Sequence, residues 1–312
     1  IVALQRVLGT VRVAVEDWKP MLARIGAMIL ELKANPPPIP VDEIAEAIQF
    51  LEWLIANSFT VLGVRDYTLS GEGGDYEPRG TGGLGILRDP DEHILRRGDE
   101  LVAVTPEIME FLREPRVLFV AKTNVRSQVH RRVYMDYVGV KRFSPDGDLI
   151  GEFRIVGLFT STAYTRQART IPYLRKKADR VLRCAGFAPE GHDGKALVNV
   201  LETYPRDELF QIDDEQLYEF AQAICFLEDR PRVCVLTRHD RFDRFVSVMV
   251  FVPRERANSE VTNTVGAYLA KAFQGRLSAF YPYYAERPMV RIHFIIGRTA
   301  SKTPEVPRAE LE

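Results

Sequence analysis

The stretch VRSQVHRRVYMDYVGVKRFSPDGDLIGEFRIVGLFTSTAY, residues 125–164, decides how this chain folds. Apolar and polar residues alternate over two runs, 132–143 and 149–160, with SPDGD between them. A period of two marks strands, because successive side chains leave a strand on opposite sides. Asp146 and Gly147 suit a tight hairpin, since glycine takes positive φ without steric cost. The two runs are therefore neighbouring antiparallel strands of one sheet.

The same stretch sets His130 between Arg126 and the pair Arg131 and Arg132. If 130–136 is extended, His130, Arg132, Tyr134 and Asp136 share one face, and Val133, Met135 and Tyr137 take the core face. Arg126, His130, Arg132 and Asp136 are thus a candidate anion or ligand face, with Asp136 the nearby acid that would orient the histidine. A solvated sheet face, or contact with an adjoining helix, explains the same residues.

Working outward, the alternation extends upstream. Strands are expected at 59–69, 84–88, 101–104 and 116–123, with one short helix opened by Thr105 as N-cap and Pro106 at its first position. Before them, apolar residues from Leu4 to Leu32 step by three and four, giving a long helical stripe that Pro20 should kink. ANPPPIP, residues 34–40, cannot continue a helix, and a second helix should open near Asp42. Downstream, Ile171, Leu174, Ala178, Val181, Leu182 and Ala185 form one helical stripe, and Leu217, Phe220, Ala221, Ile224 and Leu227 another. DDEQ, residues 213–216, offers the second an acidic N-cap and a capping-box glutamine. From Arg230 the pattern gives two strands joined by a polar turn, a helix from about Ser259 to Phe273, and strands near 276–282 and 289–296.

The expected fold class is α+β, with two antiparallel-sheet modules joined by helical segments. The divisions are a helical segment 1–58, an α+β domain 59–165, a helical connector 166–229, a second α+β domain 230–298 and a disordered tail 299–312. The chain opens at Ile1 in mid-helix, which reads as a piece of something larger, and its closing Leu-Glu reads as an appended scar.

Composition narrows the function. Lys plus Arg number 42 against Asp plus Glu 43, so no global field draws the molecule to nucleic acid or an acidic membrane. Cys184, Cys225 and Cys234 are odd in number, far apart and set in apolar runs, the pattern of buried reduced thiols in a cytoplasmic compartment. No apolar run approaches the roughly 20 residues that span a bilayer. Glycines cluster at 71–85, but the segment leaves one strand and enters another, whereas a dinucleotide fingerprint must open a helix. A mobile hairpin loop is the expectation there. His93, His192, His239 and His293 have no metal-ligand spacing, and His293 reads as a satisfied structural histidine. FYPYY, residues 280–284, lacks flanking cations and reads as packing at a strand end or an oligomer interface.

Six strings together resemble the large bacterial NAD-specific glutamate dehydrogenases: LGVRDY at 62–67, GLGILRD at 83–89, RSQVHRRVYMDYVGVKRF at 126–143, GEFRIVGLFTSTAY at 151–164, IPYLRKK at 171–177 and DRFVSVMVFVPRER at 243–256. The resemblance implies a subunit several times longer than this chain, with deamination in a C-terminal core that has a Rossmann-type NAD domain. It places this region in the long N-terminal part, built of PAS-like and ACT-like modules and serving regulation and assembly. Residues 59–165 then correspond to the PAS-like module and 230–298 to the ACT-like one. A full ACT unit runs βαββαβ, whereas the pattern here gives ββαββ, with one helix missing or displaced into the segment around Leu217 to Leu227.

By the same resemblance no catalytic, cofactor-binding or metal-binding residue is expected in this chain, which is itself inactive, and NAD belongs to the parent. Expected partners are the rest of the polypeptide, homo-oligomer subunits and an amino-acid effector, but no membrane or nucleic acid. His239 and Asp240, in the polar turn of the second module, are candidate effector contacts, although turn chemistry also explains them. Two other readings stay open. One is a scaffold that binds no small molecule; the other is a nucleic-acid module using Arg126, Arg131, Arg132, Lys141 and Arg142, against which the balanced charge speaks.

Overall fold

The computed structural model describes the chain except for residues 1, 71–74, 80–81, 90–95, 98–99, 102–104, 189, 286–287 and 299–302. Its elements begin with helices α1 (Val2–Glu16), α2 (Trp18–Ala34) and α3 (Val41–Trp53). Strands β1 (Phe59–Ser70), β2 (Asp75–Pro78), β3 (Leu84–Gly85), β4 (Arg96–Arg97) and β5 (Glu100–Leu101) follow, then helix α4 (Pro106–Arg113). Next come strands β6 (Leu118–Arg126), β7 (Tyr134–Phe143) and β8 (Leu149–Phe159), and helices α5 (Ser161–Thr165), α6 (Leu174–Ala185), α7 (His192–Thr203), α8 (Arg206–Gln211) and α9 (Asp214–Asp229). Strands β9 (Cys234–His239) and β10 (Phe245–Pro253), helix α10 (Ser259–Ala272), strands β11 (Arg276–Tyr283) and β12 (Met289–Gly297), and helix α11 (Arg308–Leu311) complete the chain.

The fold is α+β with two main antiparallel sheets, in two compact units. The first unit comprises 1–96, 101–179 and 205–211, and the second 97–100, 180–204 and 212–312. The segment 166–229, expected as a connector, contributes to both.

In the first unit the sheet runs β2-β1-β8-β7-β6, with β3 also paired to β1. The opening stretch supplies β7 and β8, whose register closes at Phe143 opposite Leu149. The turn holds the five residues 144–148, with Gly147 at φ +93° and its N–H donating to Ser144 O. Helix α2 lies against β1 and buries Met21, Ile25, Met28 and Leu32. The helical stripe breaks at Asp17 and not at Pro20, which sits in the first turn of α2, where its missing N–H costs nothing. Asp17 instead accepts the Gly85 N–H at 2.7 Å. Gly85 is left-handed at φ +62°, and a Cβ there would meet Leu62 O at 2.1 Å, so a glycine is required at this turn over β1. Thr105 caps α4 as expected, accepting from Ile108 N–H at 3.3 Å. Most of the strand expected at 101–104, and parts of the glycine cluster, lie outside the described residues.

The second unit carries the sheet β11-β12-β10-β9. Its core joins Val246, Val248, Val250, Phe294 and Ile296 of the sheet to Leu269 and Phe273 on the α10 side. Strands β10 and β11 are joined by α10 and separated by antiparallel β12, a split βαβ arrangement. The segment around Leu217 to Leu227, where a missing or displaced helix was the expectation, forms α9, which precedes β9 and packs with α7. Asp213 caps it by accepting the Gln216 N–H at 2.7 Å, but the Gln216 side chain reaches Thr237 O at 3.5 Å instead of closing a capping box. Arg291 alternates with the core residues Val290 and Ile292, so it leaves the other face, where it donates to Thr203 O at the end of α7.

The tail corrects the expectation of disorder. Over 303–312, Val306 and Leu311 pack against the α10-side core, and Glu312 accepts the Val235 N–H at 3.1 Å. Leu311 of the closing pair thus lies on this core. Of the three cysteines expected to be buried, Cys234 is, Cys225 is half-buried and Cys184 is exposed. No helix among the described residues is long and apolar enough to cross a membrane.

Candidate functional site

The four residues proposed as one ligand face do not share a face. Strand β7 starts at Tyr134, two residues later than the alternation implies, and 127–133 form a closed loop. Ser127 N–H donates to Val133 O at 2.8 Å, and its hydroxyl both donates to Val129 O and accepts from Val129 N–H. His130 sits at the loop tip with φ +66°, exposed like Arg132. Arg131 turns back to donate to Phe159 O at 2.7 Å. Arg126, at the end of β6, stacks over Tyr134 of the paired strand at 4.9 Å.

Asp136 is buried and belongs to a different cluster. Its Oδ1 lies 2.7 Å from Lys122 Nζ, and its Oδ2 accepts the Phe159 N–H at 3.1 Å. Lys122 also pairs with Asp207 at 3.3 Å, and Tyr164 donates to Asp207 at 2.9 Å. Burial, partly offset by Lys122 and reinforced by Asp207, pushes Asp136 up to about 6. Burial alone would lower Lys122, but the two carboxylates outweigh it and keep the ammonium charged. The cluster can hold a proton near neutral pH, yet its groups face one another and tie β6, β7, α5 and α8 together. Structural ion networks perturb acids in this way as readily as catalytic ones do.

In the second unit Asp240 is held within its own turn. It receives Arg244 through Nε at 2.6 Å, Nη2 at 2.9 Å and the backbone N–H at 3.2 Å, both side chains almost fully buried. His239 is exposed, with its ring edge-on to Phe273 at 6.1 Å. His293 shares a 2.8 Å hydrogen bond with Ser247. Tyr281 and Tyr284 are exposed on or beside the edge strand β11.

What the sequence did not disclose is a cavity of about 540 Å³ in the first unit, between α1, the 84–89 turn and the segment 125–129. Val13, Leu62 and Met135 give it apolar walls, while Arg88, Asp89 and Arg126 bring charge. Arg88 is fixed by Asp17 at 2.6 Å, and the same carboxylate holds Gly85, another lining residue. Of the four predicted ligand residues, only Arg126 is here. Its charged neighbours Arg88 and Asp89 come from GLGILRD, some 40 residues upstream, a pairing that no local periodicity reveals.

Residues 171–230 match the family model "Glutamate dehydrogenase, helical motif 1", and 234–312 match "Glutamate dehydrogenase, ACT2 domain". Along nearly its whole length the chain is similar to proteins named NAD-specific glutamate dehydrogenase. That of Halomonas elongata is 36% identical over 321 residues, covering 99% of this chain and 19% of the relative. That of Pseudomonas aeruginosa is 34% identical over 315 residues, with the same two coverages. That of Mycobacterium tuberculosis is 26% identical over 309 residues, covering 97% and 17%. The chain thus spans about one-fifth of the length of these NAD-specific glutamate dehydrogenases, is similar to them along that segment, and matches the helical motif 1 and ACT2 models within it.

Proposed function

We propose that this chain is a regulatory and assembly segment of an NAD-dependent glutamate dehydrogenase, with no dehydrogenase chemistry of its own. In that reading the parent converts L-glutamate, water and NAD⁺ to 2-oxoglutarate, ammonia and NADH through parts of the polypeptide outside this segment. The observation that carries the reading is the match of the second unit to the ACT2 region, next to a helical motif of the same family. The first unit serves as a PAS-like module, the partners are the rest of the polypeptide and other subunits, and the compartment is the cytoplasm. An effector acts here only by binding two states unequally, since equal affinity shifts nothing.

A scaffold without any ligand is favoured by one observation: Leu4, Leu8 and Val15 on α1, and Tyr281 and Tyr284 at β11, are exposed apolar or aromatic groups suited to contact with other chain segments. A thermal-shift panel of amino acids, dicarboxylates and nucleotides separates the two readings. A ligand at about a hundredfold its Kd adds roughly 2.7 kcal/mol, so sensing gives a rise for some amino acid and the scaffold gives none. NAD reduction by the isolated chain with L-glutamate should stay at background, and turnover above it refutes the claim of inactivity.

A further inference from the structure

The cavity of the first unit has a definite chemistry. At about 540 Å³ it falls within the ordinary range of small-molecule sites, which are mostly apolar with a few placed polar groups. Leu62 and Met135 are buried in its wall, and Val13 of α1 faces them. Arg88 already has Asp17 as its acid. The Arg126 guanidinium is paired with no acid among the described residues and is steadied by the Tyr134 ring beneath it. A planar guanidinium of this kind matches a carboxylate through two parallel hydrogen bonds.

We propose that this cavity binds a small amphipathic carboxylate, with its carboxylate on Arg126 and its apolar body against Val13, Leu62 and Met135. The site deepens the regulatory reading above, resting on it for the consequence of binding and not for binding itself. An α-amino acid or a simple apolar carboxylate would present this chemistry, and Asp89 on the lining distinguishes them, because only the former offers an ammonium group. Helix α1 supplies one wall, and Asp17, at the break between α1 and α2, grips Gly85 and Arg88 of the adjoining turn. Occupancy thus bears directly on where α1 lies.

The test is calorimetric titration of the 312-residue chain with L-leucine, 4-methylpentanoate, which lacks the ammonium, and L-leucinamide, which lacks the carboxylate. At least one of the two carboxylates should bind, and the amide should not. Arg126→Ala should weaken binding by about tenfold to a hundredfold, the loss of a charged hydrogen-bond partner. Gly9 lines the cavity in mid-helix, and a Cβ there meets nothing within 4 Å. Gly9→Leu should therefore fill the cavity and abolish binding while Tm holds or rises, since leucine is the better helix residue. Preference for L-leucine that Asp89→Asn removes assigns an amino acid, whereas equal binding of 4-methylpentanoate assigns a simple carboxylate. Absence of heat with all three probes, or binding indifferent to both Gly9→Leu and Arg126→Ala, overturns the site. A thermal-shift response to amino acids that survives Gly9→Leu also overturns the cavity assignment but leaves the regulatory reading standing. Binding in the cavity with no change of association state in ultracentrifugation keeps the site and counts against regulation.

Discussion

Replacing Asp240 separates a structural turn from an effector contact. In the structure its carboxylate takes three hydrogen bonds from Arg244, and the two side chains are 2% and 1% exposed. Asp240→Ala strips a buried guanidinium of this counter-charge, which costs about 3–5 kcal/mol. The Phe242 ring, 4.9 Å from the guanidinium, recovers only a part of that. Asp240→Ala with Arg244→Met should regain most of the loss, because an apolar side chain of similar size has no charge to compensate. Both tryptophans, Trp18 and Trp53, belong to the first unit, so their fluorescence serves as an internal control. Damage to the second unit is read from hydrogen exchange of the β9 and β10 amides. The expected result is faster exchange there by two orders of magnitude or more, at about 1.4 kcal/mol per tenfold, with tryptophan unfolding unchanged. Unchanged protection together with loss of an amino-acid response would refute the structural assignment and return Asp240 to the ligand.

The remaining predictions concern Asp136 and the tail. Asp136, raised to about 6 when folded against about 3.9 unfolded, contributes stability that is present below about pH 4 and lost as pH rises through 6. Between pH 5 and 7 this loss is about 1 kcal/mol, so thermal melts should show wild type losing more stability than Asp136→Asn across that window; parallel curves contradict the shift. Deleting 303–312 removes Val306 and Leu311 from the core and Glu312 from Val235 N–H, for about 2–3 kcal/mol in the second unit. Cys234, buried and contacted by Arg308 at 3.1 Å, should then react faster with a thiol reagent, and an unchanged rate argues against the packed tail.

Local signals recovered most elements because they are local in cause. Thr105 with Pro106, SPDGD and the period of the β10 run each act within a few residues, and each appears where expected. The tail was misread because Pro304, Pro307 and its polar residues resemble a solvated segment. Its order comes from Val306 and Leu311, two residues too widely spaced to show a period but sufficient to cover a core on the α10 side. The break at Asp17 was missed similarly, since what fixes it is Gly85, 68 residues on.

The site was misread for a more general reason. Alternation assigns polar residues to water only if one face of the sheet is wet, and β7 is buried at every position from Met135 to Lys141. Charges inside such a sheet need partners, because an ion removed from water without them costs several kcal/mol. Here those partners are distant in sequence. Lys141 donates to Phe111 O and Glu114 O at the end of α4, Arg65 donates to Leu87 O, and Glu152 accepts from Tyr137 of the neighbouring strand. Each such charge reads locally as a surface residue and stands in fact as a tie between elements. Arg126 escapes the pattern because it ends its strand, where covering elements give way to the loop at 127–133. That position, and not its place in a cationic run, is what brings its guanidinium to a cavity.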